Sequence, residues 1–321
     1  MRVEQVRGGV VEAWHEVHVA VVDGSGRIVA RTGDPELTTF WRSAAKPFQA
    51  VPLVEDGVAD RFGLSGEELA LACASHSSEA GQVSKVRELL AKIGCAERDL
   101  LCGPHPPLSE RVAQDYQARG VRLTPVYSNC SGKHAGMLAL ARHHDWPTEF
   151  YTRPEHPVQQ RCLAEVSRWT EVPQAAIRTG VDGCGVVCFA VALRNMALAY
   201  AKLGSRGGGQ GATPIAAAML HHPELIAGEG RPCTELMRAH PGRVIAKVGA
   251  EGVYCAALVG EGLGVALKVA DGHALASALA IAAVLEALGL RPLPSSLGAR
   301  PNLNTRGEPV GELRVNGGLE E

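Results

Sequence analysis

The sequence carries almost no net charge. Its 32 lysines and arginines stand against 34 aspartates and glutamates, a formal balance of -2 at pH 7. No global basic excess is available to hold a phosphate backbone, which argues against a nucleic-acid partner. Long hydrophobic runs are missing too. The longest, Ala274 to Leu288, is interrupted by Ser277 and Glu286 and is too short to span a bilayer, so no membrane association is expected. The opening Met-Arg-Val-Glu-Gln-Val-Arg-Gly-Gly lacks the apolar core of a secretory signal. Cysteines number nine, an odd count, spread from Cys73 to Cys255. Together these features point to a cytoplasmic protein whose cysteines are core residues or metal ligands rather than disulfides. Several catalytic signatures are also absent. There is no Gly-x-Ser-x-Gly and no His-x-Glu with Pro-Cys-x-x-Cys of the zinc deaminases. Gly132-Lys133 is followed by His134, so it does not complete a phosphate loop.

What is present is an ordinary globular composition, 46% hydrophobic and 21% charged over 321 residues, enough for a large core. His15 to Arg31 reads as a β-hairpin, with Val17, Val19 and Val21 alternating and a turn at Asp23-Gly24-Ser25-Gly26. A long helical middle follows. Ser65-Gly66-Glu67-Glu68 forms a capping box. Further helices are predicted over Ser78–Ile93, Leu108–Ala118, Gly132–His143, Pro157–Trp169, Val191–Leu203, Thr213–His221 and Pro232–Ala239. Arg243–Lys247, Val253–Val259 and Gly264–Val269 then read as strands, and Ala274–Leu288 as an apolar helix. Residues 290–321 are rich in Pro, Gly and Asn and suggest a loose tail with one late strand near Leu313–Val315. This order predicts an α+β fold. Strands from both ends of the chain form one antiparallel sheet, and a helical lobe of approximately residues 60–240 is inserted between them, within a single catalytic domain of 1–321.

Against that frame, Arg42-Ser43-Ala44-Ala45-Lys46-Pro47 is the stretch with most chemistry. Ser43 and Lys46 fall on one side of a helical turn, where an amine can reach and deprotonate a hydroxyl. The same pattern also describes an N-cap serine and a surface lysine. Lys247-Val248-Gly249 occupies the place of the Lys-Thr-Gly element that accompanies Ser-x-x-Lys in serine acyl-transfer enzymes, without its hydroxyl. Cys73-Ala-Ser-His-Ser-Ser-Glu79 holds more hydroxyls than one helix cap needs, and Ser75 is a second candidate cleft serine. Ser128-Asn-Cys-Ser-Gly-Lys-His134 leads into a helix whose N-terminus, near Gly132, offers N–H donors to a carboxylate. Asp182, in Val181-Asp-Gly-Cys-Gly185, either binds a substrate amino group, orients a water or makes an Asx turn. Cys130 and Cys184, in two such loops, are either a thiolate metal pair or lone buried cysteines.

Taken together, Arg42–Pro47, Cys73–Glu79, Ser128–His134, Asp182–Cys184, Leu225–Arg231 and Ala246–Glu251 give a sequence that resembles the asparaginase II family, the class 3 L-asparaginases of rhizobial type. The resemblance implies a fold like that of serine β-lactamases, penicillin-binding proteins and Ser-Lys glutaminases. It implies two catalytic Ser-Lys pairs, Ser43 with Lys46 and Ser75 with Lys247. It further implies a zinc ion on Cys130, Lys133 and Cys184, a homodimer, and substrate-binding roles for Arg42, Asn129, His134 and Asp182. The expected activity is hydrolysis of L-asparagine to L-aspartate and ammonia through an acyl-enzyme, with zinc positioning the substrate rather than generating hydroxide. The rival readings are a glutaminase or other Ser-Lys acyl hydrolase, and a non-catalytic zinc- or amino-acid-binding protein.

Overall fold

Alternating valines make the Val10–Asp23 segment a long strand. Its second half is buried on both faces, and its first half is largely exposed. The turn that ends it forms as its residues dictate. Asp23 Oδ1 accepts the backbone N–H groups of Ser25 and Arg27, and Gly26 takes φ +87°, a value that L-residues rarely adopt. The computed structural model describes residues 1–205 and 211–321. Two compact units result. One comprises Met1–Ala44, Val191–Ser205 and Glu235–Glu321, and the other Ala45–Ala190 and Arg206–Thr234. The fold is α+β.

The first unit is built on an eight-stranded sheet with antiparallel pairings. Across it run Arg300–Leu303, Pro309–Asn316, Arg2–Arg7, Val10–Asp23, Leu263–Val269, Val253–Leu258 and Val244–Val248, with Ile28–Thr32 also pairing Val10–Asp23. Two parts of this sheet are absent from the sequence expectation. Arg2–Arg7 contains only two valines, Val3 and Val6, at a spacing that does not alternate. A register shift between Gln5 and Val6 turns both inward, and both are buried. The tail supplies two strands rather than one. Gly311 permits the tight pairing there, since a Cβ at that position would meet Val6 O at 2.1 Å.

Two helices cover the sheet. Leu193–Gly204 packs on Leu263–Val269, Val10–Asp23 and Val253–Leu258. It approaches so closely that a Cβ on Gly264 would lie 1.9 Å from Ala197 O. Ala274–Ala287 packs on Val253–Leu258, Leu263–Val269 and the strands from both ends of the chain. It is apolar nearly all round and buried over most of its length, as such a composition demands.

The second unit is helical around Ser131–His143, whose first eleven residues are all buried. Small residues make that possible. A Cβ on Gly132 would collide with Leu71 O at 2.3 Å, and one on Gly136 would press on Ala72 Cβ and Leu53 Cδ1 at 3.2 Å. The Gly66–Ala72 helix therefore lies directly against it, capped by Ser65 and Glu68 as expected. Lys46–Ala50 and Pro52–Glu55 are held from another side by Pro157–Thr170. Arg161 grips Asp56 through two nitrogens, at 2.7 and 3.1 Å, and also bonds Glu165; Arg168 spans Glu55 and Glu165. A short hairpin, Arg178–Val181 with the start of Val187–Ala192, closes around the Asp182–Val186 loop. No helix among the described residues is long and apolar enough to cross a membrane.

Candidate active site

Arg42–Ala45 forms a single 3-10 turn that runs into the Lys46–Ala50 helix, with Pro47 in the first turn where its missing N–H costs nothing. Arg42 sits at φ 54°, strained for a residue with a side chain. Ser43 is half-buried within the turn. Arg42 and Ser43 belong to the sheet unit, where Arg42 Nη1 lies 4.0 Å from Glu251 Oε1. Lys247 also belongs there. It is fully buried in the Val244–Val248 strand, and its Nζ donates to the Val248 carbonyl at 2.9 Å.

Lys46 is the second residue of the helical unit and is 1% exposed. Its Nζ donates to the Ala74 carbonyl and, at 3.0 Å, to Ser75 Oγ. Ser75 follows the end of the Gly66–Ala72 helix and is fixed by its own N–H, which donates to Ile226 O at 2.8 Å. The surface-lysine reading of Lys46 is thus excluded.

The neighbouring serines resolve differently from the expectation that one of them caps the next helix. Glu79 caps Ala80–Lys92, in a reciprocal box with Gln82. Ser77 Oγ donates to Ala227 O, and Ser78 Oγ to Tyr127 O. His76, buried between them, was not singled out from sequence. Its Nδ1 accepts the Ser78 N–H, so Nε2 donates to Ser131 Oγ at 2.8 Å, and Ser131 Oγ in turn donates to Val126 O. The His76 N–H donates to Asn129 O. This chain of bonds ties the Ser75 loop to the start of the Ser131–His143 helix.

Cys130, Lys133 and Cys184 come together in this unit. Lys133 Nζ lies 3.0 Å from Cys184 Sγ, and the Cys130 thiol is hydrogen-bonded to Cys184. That thiol donor, with Lys133 beside it, lowers the Cys184 thiol to about 5 against the opposing effect of burial. Cys130 is pushed up to about 12, first because it donates to Cys184 and then by burial. Burial works against the charge on Lys133, but the sulfurs of Cys184 and Cys130 and the Asp182 carboxylate outweigh it and raise its pKa. Two sulfurs and an amine converging in a buried place suit a thiophilic cation such as zinc. Among the described residues no three His, Cys, Asp or Glu side chains gather as metal ligands, so the set fits only with Lys133 as the third donor, in its neutral form.

Asp182 lies in the hairpin loop beside these residues. Its Oδ1 accepts the Gly183 N–H at 2.8 Å, the local turn bond that its residue type favours. Asn129 is half-buried, its N–H directed at His105 Nε2 at 3.4 Å. His134 is fully buried and bonds Tyr151, a residue that no sequence signal marked.

A family model described as L-asparaginase II matches residues 3–315. A search of curated proteins returned no match. Among solved structures, one described as a putative beta-lactamase from Bacteroides dorei DSM 17855 is similar at 15% identity, with 79% of this chain and 85% of that one covered and a TM-score of 0.42. A structure titled Mglu, in its native form with 4.3 M NaCl, shares 15% identity over 88% of this chain and 63% of that one, with a TM-score of 0.40. A beta-lactamase from Mycobacterium bovis shares 14% identity over 84% and 94% of the two chains, with a TM-score of 0.35. Likenesses of that depth carry no argument about activity. The family match does, because it spans residues 3–315, nearly the whole chain. The chain belongs to the L-asparaginase II family, a family of amidohydrolases.

Proposed function

We propose that the protein is an L-asparaginase acting through a serine ester. The observation that carries the reading is the buried Lys46 amine held against Ser75 Oγ, at the head of the helix that Ser43 precedes by one turn. A lysine buried to that extent and aimed at a hydroxyl is costly to keep unless it handles protons. Ser43 Oγ attacks the side-chain carbonyl carbon of asparagine while the Lys46 amine takes the hydroxyl proton. Backbone N–H groups, that of Ser43 included, receive the oxyanion. Collapse breaks the C–N bond, and the nitrogen leaves as ammonia after taking a proton from the Lys46–Ser75 network. Water then attacks the ester, aspartate departs, and Ser43 recovers its proton. The family resemblance supports Lys247 as the fourth member of this network.

Cys130, Lys133 and Cys184 are the residues that would hold zinc. Bound there, it would supply a Lewis acid for the α-amino and carboxylate ends of the substrate. Arg42, Asn129, His134 and Asp182 share the work of binding those ends. A homodimer is proposed on the same resemblance.

The test measures ammonia release from L-asparagine and L-glutamine, alongside turnover of a chromogenic β-lactam. It uses the wild type, Ser43→Ala and Cys130→Ser, with and without a chelator. Asparagine is expected to be the best substrate, with Ser43→Ala losing roughly a thousand-fold or more in kcat. A faster glutamine reaction would reassign the substrate, since one methylene shifts selectivity by only ~1–3 kcal/mol. Near-normal turnover by Ser43→Ala, with none by Cys130→Ser, would transfer the chemistry to the metal site.

A further inference from the structure

Resting on that reading, the structure adds a residue to the proposed site. His134 is wholly buried, and its Nδ1 lies 2.6 Å from Tyr151 Oη. Tyr151 is also wholly buried, and its oxygen accepts the Leu101 N–H at 3.0 Å. The phenol has one proton to place. If the imidazole donated as well, that proton would have no acceptor among the described residues and ring Nε2 would be a bare acceptor, leaving two buried polar atoms unsatisfied. If the phenol donates to Nδ1, only the Nε2–H is left over. Buried unpaired groups are costly, so the second arrangement prevails.

Nε2 of His134 is indeed a buried side-chain nitrogen without a partner. Lys133, Cys130, Lys46 and Asp182, all residues of the proposed site, act electrostatically on the ring. We infer that Tyr151 is a positioning residue that locks His134 as its Nε2–H tautomer, presenting a fixed N–H donor to an acceptor oxygen of the substrate. The oxygen it fits is a carboxylate or an amide carbonyl. A ring free to exchange tautomers would offer that oxygen a lone pair part of the time, and the lock removes that repulsive state.

The experiment uses full-length protein labelled with 15N-histidine, with two-bond 15N–1H correlation spectra of wild type and Tyr151→Phe. His134→Gln identifies the resonance. The expected wild-type pattern is a neutral ring protonated on Nε2, shifting toward a tautomer mixture in Tyr151→Phe. In parallel, ammonia release from L-asparagine should show KM raised roughly 10- to 100-fold in Tyr151→Phe, with kcat held within about three-fold. The Tyr151→Phe/His134→Gln pair should bind no more weakly than His134→Gln alone. A wild-type ring protonated on Nδ1, an unchanged KM in Tyr151→Phe, or a further loss in the double variant would each overturn the inference. If wild type hydrolyses no amide, the proposed function falls, and the wild-type spectrum alone decides the tautomer. The same spectrum decides it if Tyr151→Phe fails to fold.

Discussion

Lys46, with almost no solvent contact, is the residue on which the proposed site turns. Replacing Lys46 by Met keeps its length and apolar stem but removes the amine that donates to the Ala74 carbonyl and Ser75 Oγ. The expected result is a kcat lower by about 10²–10⁴ with the far-UV spectrum unchanged, measured by ammonia release and circular dichroism. A second residue-scale test follows from the cysteines. Cys184 is lowered to about 5, whereas burial pushes Cys162 and Cys255 up to about 12. Cys184 is therefore a thiolate at neutral pH, and its rate of alkylation by iodoacetamide should be flat above pH 6 and fall below pH 5. Mass spectrometry of peptides at graded pH reads this out, and added zinc should slow it. Preferential labelling of Cys162 or Cys255 would contradict the assignment. At this scale the sequence was most legible where residues lie near each other in the chain, as in the Ser65–Glu68 capping box. Tyr151 and His76 escaped because their meaning depends on bonds to Leu101 and Ser131, which no local pattern encodes.

Helices and strands were legible in proportion to their periodicity. The expected Gly132–His143 and Pro157–Trp169 helices form within a residue of their expected bounds. Arg2–Arg7 was not, because a bulge breaks the alternation on which strand reading depends. The tail strands were hidden for a different cause. Pro, Gly and Asn weaken strand propensity, and it is pairing with Arg2–Arg7 on one side and Arg300–Leu303 on the other that orders Pro309–Asn316. Glycines at element crossings give the sharpest test here. Gly264→Ala places a Cβ 1.9 Å from Ala197 O, and Gly132→Ala places one 2.3 Å from Leu71 O; each contact is with rigid backbone. Each variant should lose about 1–3 kcal/mol or more in urea unfolding. Gly298→Ala, with nothing nearer than Ser295 O at 3.5 Å, should lose much less. Equal losses at all three would mean that the close packing of these elements has been misjudged.

For the molecule as a whole, acid is the expected weakness. Burial, reinforced by nearby lysines, holds His76 and His134 down to about 3. Above pH 7 both the folded and unfolded chains keep these rings neutral. As pH falls below about 6.5, the unfolded chain binds protons that the folded one refuses, and stability drops by up to about 1.4 kcal/mol per pH unit for each ring. The Asp56 carboxyl acts lower down. Burial raises it, but Arg161 and His144 outweigh burial and the net shift is downward, so its contribution is lost as pH falls below about 3.8. Urea midpoints should be level between pH 7 and 8 and decline steadily from 6.5; a midpoint level down to pH 4 would show both rings taking protons in place. The sheet carries a consequence of another kind. Asn316 Nδ2 donates to Glu4 Oε1 across a sequence separation of 312 residues, and Arg2–Arg7 lies between Val10–Asp23 and Pro309–Asn316. On a ribosome adding about 5–20 residues each second, the opening strand waits roughly 15–60 s for one of its two neighbours to be made. Through that interval it is a half-paired edge, and the newborn chain must be shielded from its own kind.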